Sequence, residues 1–411
     1  PINLNSFPRL RSFHTTTSRN MAKATNNRPL VPVAESRRFM VDCFKAAKVP
    51  KNHAEEMADL LVAADYRGHF SHGMNRLEMY VNDLFKKSTD GAARPKILKQ
   101  TPATAWVDGN NGLGAVVGNF CMDLAIEKAK IVGVGWVVAK RSNHYGMAGW
   151  YPIRALKAGM IGLSATNTSP LLAPTRSKEA ALGTNPLSFG APGNNDEFLL
   201  DMATTAVALG KVEIQCRKGE SIPSGWAQGP DGFPVTDAEL AYQTGCLMPL
   251  GGSEETSGYK GYGLSAMVDI LSGVLAGARY STLVRKWTHD GSDTEANLGQ
   301  IFIAVDPKCF APDFEDRIND FNGRLRSSAP TNPALPVLIP GEKEAAKMKA
   351  VDDAGGIQYL ENQWQTCENL GRNLKQFVVV RVFFLMWTKI SNLLKPTNCY
   401  IEHRIRFPTQ N

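Results

Sequence analysis

The stretch DGNNGLGAVVG, residues 108–118, follows the apolar run TAWVD and opens a helix. That is the setting a dinucleotide-binding fingerprint requires. Its spacing does not conform: Gly112, Gly114 and Gly118 give GxGxxxG rather than GxGxxG. No acidic residue closes a following strand about 20 residues on, where a ribose partner belongs. The spacing favours a tight turn into a helix over a cofactor loop of the usual kind. A Walker A loop is also absent, because Lys260 is followed by Gly261, and there is no GxSxG elbow.

Outward from this point, strands and helices alternate. TAWVD (104–108), GWVVAK (135–140), MIGLSATN (160–167), LSFGAPG (187–193) and FLLDMA (198–203) read as strands. NFCMDLAIEKAKIVG, ended by Gly133, and AGWYPIRALKAG (148–159) read as helices. Such alternation predicts an α/β sheet layer. Upstream, Phe39, Met40, Cys43, Phe44 and Ala47 form one helical stripe. Asn52 with Glu55 suggests a capping box for a second helix, and residues 74–85 suggest a third. GGSEETSGYKGYG (251–263) precedes an apolar helix. The expected organisation is a leader over 1–30 and a helical segment over 31–103. An α/β domain over 104–278, a part over 279–375 returning to the N-terminal segment, and an atypical basic tail over 376–411 complete it.

The formal charge of +7 belongs to the ends of the chain. Residues 1–34 hold five basic and no acidic residues, residues 372–411 hold seven basic residues and Glu402, and the body carries a net −4. The body thus lacks the basic footprint of a nucleic-acid binder. The longest apolar run, FVVVRVFFLMW (377–387), contains Arg381 and is too short for a membrane span. Seven cysteines without a CxxC pair suit a reducing compartment and argue against a disulfide framework or cysteine-built zinc site. A cytoplasmic location is expected. The acid-free, Arg- and Ser-rich start reads equally as a leader ahead of Met21 or as a presequence, which would place the protein in the mitochondrial matrix.

Two short segments carry chemistry. In RSNHYG (141–146), His144 stands just past a strand end, where a loop places reactive groups. In GHFSHGMNR (68–76), His69 and His72 are three apart, a weak metal signal without a specific third ligand, and no metal is assigned. Were a helix to start near His72, then His72, Arg76 and Tyr80 would share a face. Arg76 would offer a fork for a carboxylate, against the plainer reading of a solvent-facing stripe. ATNTSP (165–170) and LGTNPLSFGAPG (182–193) are rich in backbone and hydroxyl donors, a property of loops and ligand cradles alike.

SHGMNRLEMY, SNHYGMAGWY, GTNPLSF, LDMATT, GYKGYGL and PGE (340–342) occur in this order. Together they resemble the malate/L-lactate dehydrogenase family of the second type, which includes sulfolactate, ureidoglycolate and diketogulonate-type oxidoreductases. The resemblance spans roughly residues 30–375. It implies NAD(P)-dependent interconversion of a small 2-hydroxy acid and its 2-oxo acid, with NAD the default cofactor and NADP the alternative. It also implies a homodimer and a non-Rossmann, mixed-sheet cofactor domain with a helical N-terminal segment packed against C-terminal elements. By resemblance His144 is the acid/base, with His72 a rival for that role. By the same resemblance Ser71, His72, Arg76 and Tyr80 bind the substrate, with Arg76, helped by Ser71 and His72, taking its carboxylate. Thr168, Asp201, Met202, Ala203, Tyr259, Lys260, Pro340, Gly341 and Glu342 contact the cofactor. Asn143 and Tyr145 are expected to position His144. His69-Phe70 replaces a smaller apolar pair, which is expected to alter the substrate mouth. Two other readings are a same-fold reductase of a cyclic imine carboxylate and a non-catalytic dinucleotide-binding protein.

Overall fold

The computed structural model describes residues 29–287 and 294–374. The expected leader and basic tail, apart from residues 29 and 30, lie outside the described residues.

The chain opens with β1 (Leu30–Val31), α1 (Val33–Ala46) and α2 (Lys51–Tyr66). Two single 3-10 turns, Phe70–His72 and Met74–Arg76, lead into α3 (Leu77–Phe85). The expected stripe is buried: Phe39, Met40, Cys43 and Phe44 on α1 meet Ala54, Met57, Leu60 and Leu61 on α2 in one apolar core. Two local expectations are corrected. Helix α2 starts at Lys51 after Pro50, whose fixed φ and extended ψ set the helix entry, and no side chain caps it. Residues 72–76 do not form a regular helix, because Gly73 breaks the path between the two turns.

The sheet region follows with β2 (Lys96–Gln100), β3 (Thr104–Asp108), α4 (Gly114–Val132), β4 (Val134–Ser142), α5 (Trp150–Lys157) and β5 (Ile161–Thr166). It continues with β6 (Leu187–Pro192), β7 (Glu197–Met202), α6 (Leu209–Lys218), β8 (Ala227–Gln228), β9 (Pro234–Val235), α7 (Ala238–Thr244) and α8 (Gly258–Asp269). A π turn over Ile270–Val274 prolongs α8. The remaining elements are β10 (Leu298–Val305), α9 (Phe314–Arg326), α10 (Glu342–Ala354), β11 (Ile357–Gln358) and α11 (Glu361–Leu374).

Seven strands form one mixed sheet in the order β2-β3-β4-β10-β5-β6-β7. Only β3 and β4 pair in parallel, joined through α4, and every other pairing in this sheet is antiparallel. This is the expected non-Rossmann, mixed-sheet fold. Its centre, β10, comes from the segment expected to return to the N-terminal helices, so the anticipated division after residue 278 runs through the sheet. Beyond β10, β11 pairs with β1, and Tyr359, Trp364, Cys367 and Leu370 enter the core of α1 and α2.

The glycine cluster has a packing role. A Cβ on Gly114 would lie 2.2 Å from the His144 carbonyl oxygen, and one on Gly118 would lie 2.3 Å from the Tyr151 ring. Glycine therefore lets α4 approach the loop after β4 closely.

Candidate active site

The loop after β4 is anchored before its histidine is placed. Asn143 Nδ2 donates to the carbonyls of Asn111 and Gly112 at 3.2 and 2.9 Å, and Gln300 Nε2 on β10 donates to the Asn143 carbonyl at 2.9 Å. Tyr145 is buried and stacks on Tyr151, with ring centroids 4.7 Å apart. Both neighbours thus fix the backbone on either side of His144.

Three rings surround the His144 imidazole. Tyr80, on α3, brings its hydroxyl to 2.5 Å from Nδ1. His72 stacks on it at 5.7 Å, and the Trp287 ring stands at 6.5 Å and 70°. The Gly146 N–H also donates to Nδ1, at 3.3 Å, and faces the Tyr80 oxygen as well. A backbone N–H can only donate, so the neutral ring carries its proton on Nε2 when this bond is made. If the ring carries it on Nδ1, the Tyr80 oxygen can accept both N–H groups. Tyr80 therefore accommodates either tautomer.

The strip from Ser71 to Tyr80 converges on the same point. Ser71 Oγ lies 2.9 Å from His72 Nδ1, which orients that ring. Arg76 Nε donates to the Ser71 carbonyl at 2.7 Å, and Arg76 makes no ion pair among the described residues. That is the state of a guanidinium able to take a carboxylate with two parallel bonds. Beneath the strip, buried Asp65 Oδ2 accepts from the Met74 N–H and the Tyr359 hydroxyl, both at 2.9 Å. Gly73 is required here, since a Cβ would meet the Asp65 carboxylate at 1.8 Å.

The electrostatics keep both imidazoles neutral. Burial pushes His72 down to about 3, with Arg76 and His69 adding to the effect. Burial likewise holds His144 well below the usual range, assisted by His72 and Arg76. Burial raises the Tyr80 phenol, so it stays protonated.

A second cavity of about 270 Å³ is lined by Arg67, His69, Asp201, Pro340, Gly341 and Glu344, among others. Asp201 Oδ2 accepts from the Gly149 N–H at 2.8 Å, capping the start of α5 just after the histidine loop. His69 Nε2 faces Glu344 at 3.6 Å, so His69 lines this cavity while also adding positive charge beside His72. Phe70 itself packs edge-on against Tyr359. The residues fit a nucleotide: a carboxylate can accept ribose hydroxyls, Arg67 offers positive charge, and Gly341, at φ +103°, leaves the backbone approachable. Thr168 lies elsewhere, in a tight turn where a Cβ on Gly183 would come within 2.2 Å of its hydroxyl. Met202 and Ala203 follow Asp201 in the chain. Tyr259 and Lys260 are exposed on the first turn of α8, and the Glu342 carboxylate is engaged by Arg326 and the Ile339 N–H.

Sequence reading did not find Trp287, Arg285 or Asp83. Asp83 alone left a signal, standing one turn beyond Tyr80 on the same helix.

Comparison with known proteins follows the same lines. A sequence model of the family described as malate/L-lactate dehydrogenase matches residues 31–368. The malate dehydrogenase of Pyrococcus horikoshii is 43% identical over 308 residues, covering 74% of this chain and 84% of that protein. The L-sulfolactate dehydrogenase of Methanocaldococcus jannaschii is 38% identical over 346 residues, covering 83% and 97%. Among solved structures, the P. horikoshii malate dehydrogenase superposes with a TM-score of 0.79 at 36% identity, covering 86% of this chain and 98% of that one. A delta1-piperideine-2-carboxylate reductase from Pseudomonas syringae superposes at 0.74 with 25% identity, covering 83% and 99%.

Proposed function

Because the chain belongs to the malate/L-lactate dehydrogenase family and is an oxidoreductase of that 2-hydroxy-acid class, we propose that His144 carries the proton between the substrate oxygen and solvent while Arg76 holds the substrate carboxylate. The observation that carries this reading is the Tyr80 hydroxyl at 2.5 Å from His144 Nδ1. It orients the ring and leaves Nε2 toward the space shared with His72 and Arg76. In hydroxy-acid oxidation, neutral His144 takes the hydroxyl proton at Nε2, and the Nδ1–H donates to Tyr80. Bound nicotinamide supplies the hydride acceptor or donor. Arg76 orients the carboxylate, and His72, kept neutral and held by Ser71, donates to the substrate without needing to titrate. A carboxylate on Arg76 cancels part of the positive field that disfavours imidazolium, so substrate binding itself eases protonation of His144.

NAD is the proposed cofactor. The Asp201 carboxylate in the second cavity supports it over NADP, since a carboxylate accepts ribose hydroxyls and repels a phosphate. Pro340 and Gly341 would form the backbone wall there. A homodimer is proposed on the apolar face of α8 and its continuation, where Met267, Ile270, Val274 and Leu275 are exposed.

The test is a panel of pyruvate, oxaloacetate, longer 2-oxo acids and cyclic imine carboxylates with NADH and NADPH, on wild type, His144→Ala and His72→Ala. The reading expects 2-oxo acids to be reduced and His144→Ala to lose turnover by ~10²–10⁴ with cofactor binding retained. Turnover confined to cyclic imines would select the reductase reading. Cofactor binding without any turnover would select the non-catalytic one, and an intact His144→Ala beside a dead His72→Ala would reassign the proton to His72.

A further inference from the structure

Beyond the residues already assigned, one group meets His144 from a separate stretch of chain. Trp287 approaches the imidazole edge-to-face, and it is held on two sides. Its Nε1–H donates to Asp83 Oδ2 at 3.1 Å, and the Arg285 guanidinium stacks over its face at 4.5 Å. The same Asp83 oxygen accepts from Arg285 Nη2 at 2.7 Å. The Arg285 and Asp83 side chains are only 5% and 14% exposed, so the pair is a fixed mount and not a surface contact. Ser88 Oγ donates to the other Asp83 oxygen at 3.2 Å, which completes the fixation. Asp83 lies one turn beyond Tyr80, so a single helix sets both the Nδ1 partner of His144 and the indole beside it.

A 2-oxo acid presents three groups at its reacting carbon. The oxygen is directed to His144 and the carboxylate to Arg76, which leaves the side chain. We propose that Trp287, mounted on Asp83 and Arg285, is the wall against which that side chain is measured, and so a specificity-determining residue. This rests on the reading of His144 as the reacting histidine. The guanidinium over the indole is already engaged by Asp83, so the wall offers area rather than free charge and selects by size. Asp83 and Arg285 act through the indole and are positioning residues.

The experiment measures kcat/KM with NADH for pyruvate, 2-oxobutanoate and 2-oxopentanoate in wild type, Trp287→Phe, Trp287→Leu and Asp83→Asn. Trp287→Leu should raise the ratio of 2-oxopentanoate to pyruvate by about tenfold or more, in line with the selectivity that a methylene-sized change in a pocket provides. Trp287→Phe, which keeps a ring and guards against loss of folding, should raise it less. Asp83→Asn should raise it with the indole still present. Ratios within about twofold of wild type in both tryptophan variants would overturn the proposal. A second readout needs no turnover: oxamate added to the cofactor-loaded protein should quench tryptophan emission in wild type and not in Trp287→Phe. Equal quenching in the two proteins would also overturn it. Where the wild type reduces none of the three acids, the oxamate titration decides Trp287, and the proposed function falls only if oxaloacetate is not reduced either.

Discussion

The Tyr80 hydroxyl and the His144 Nδ1 are 2.5 Å apart, across 64 positions of sequence. The contact couples the helix that follows the proposed carboxylate strip to the loop that carries His144, the proposed proton carrier. Removing the hydroxyl by Tyr80→Phe leaves the ring in place and deletes one orienting bond. Turnover should fall by about 3–10-fold, the worth of one neutral hydrogen bond, with the KM of the 2-oxo acid changed less than kcat. Steady-state kinetics check this, and an unchanged kcat would remove Tyr80 from the mechanism.

The depressed imidazoles fix a direction in pH. His144 and His72 both titrate below the usual histidine range in the free protein, chiefly through burial. The base needed for hydroxy-acid oxidation is the neutral form, so kcat/KM for oxidation should hold its plateau to well below pH ~6.5. Reduction needs the protonated form, so its kcat/KM should keep rising as pH falls through the same range. Profiles of the two directions check the sign. An acid limb for oxidation centred near or above the ordinary histidine value would contradict the site's electrostatics.

Gly114 supports the His144 carbonyl at a distance that no side chain tolerates. Gly114→Ala must push the loop or the helix aside, and a displacement of about 1 Å at a reacting group costs ~10² in rate. The expected outcome is that loss in kcat with cofactor affinity retained, read by kinetics and by a binding titration. A variant with full turnover would show that the loop has slack.

Buried Asp65 gives the opposite pH signature to the histidines. Burial raises its carboxyl to about 7 against the Met74 and Tyr359 bonds that lower it. A folded pKa above the unfolded one means full stabilisation below pH ~3.9, lost as pH rises through about 7. Relative to Asp65→Asn, which cannot ionise, the wild type should lose thermal stability between pH 4 and 7 and stay level above that. Tm measured for both proteins across that range checks it, and a difference independent of pH would refute the assignment.

The residues that the structure gathers around His144 were legible where their motifs are local. Arg76, Tyr80 and His144 sit in short motifs whose residue types state their chemistry, and the failed glycine spacing turned the reading away from a Rossmann fold. Three things could not be read. LGQIFIAV (298–305) is a short apolar run with no periodicity of its own, and its place at the centre of the sheet is decided by β4 and β5, far upstream. Trp287 lies in VRKWTHD, where nothing marks it until Asp83 is seen across 204 positions. Asn52 and Glu55 imitate a capping box, yet Pro50 starts the helix earlier, because a fixed φ outweighs a side-chain cap. The glycine of Gly114 is visible in sequence, but the carbonyl behind it is not.

The position of β10 has a consequence for how the molecule is made. Strands β4 and β5 are synthesised more than 130 residues before the strand that must lie between them. A nascent chain emerging in order therefore holds two open strand edges facing a vacancy until residue 305 has left the ribosome. Folding of the sheet waits on its last strand, and pairing of β1 with β11 binds the beginning of the described chain to its end later still. Any truncation before β10 would leave an unpaired, aggregation-prone half-sheet rather than a smaller working domain.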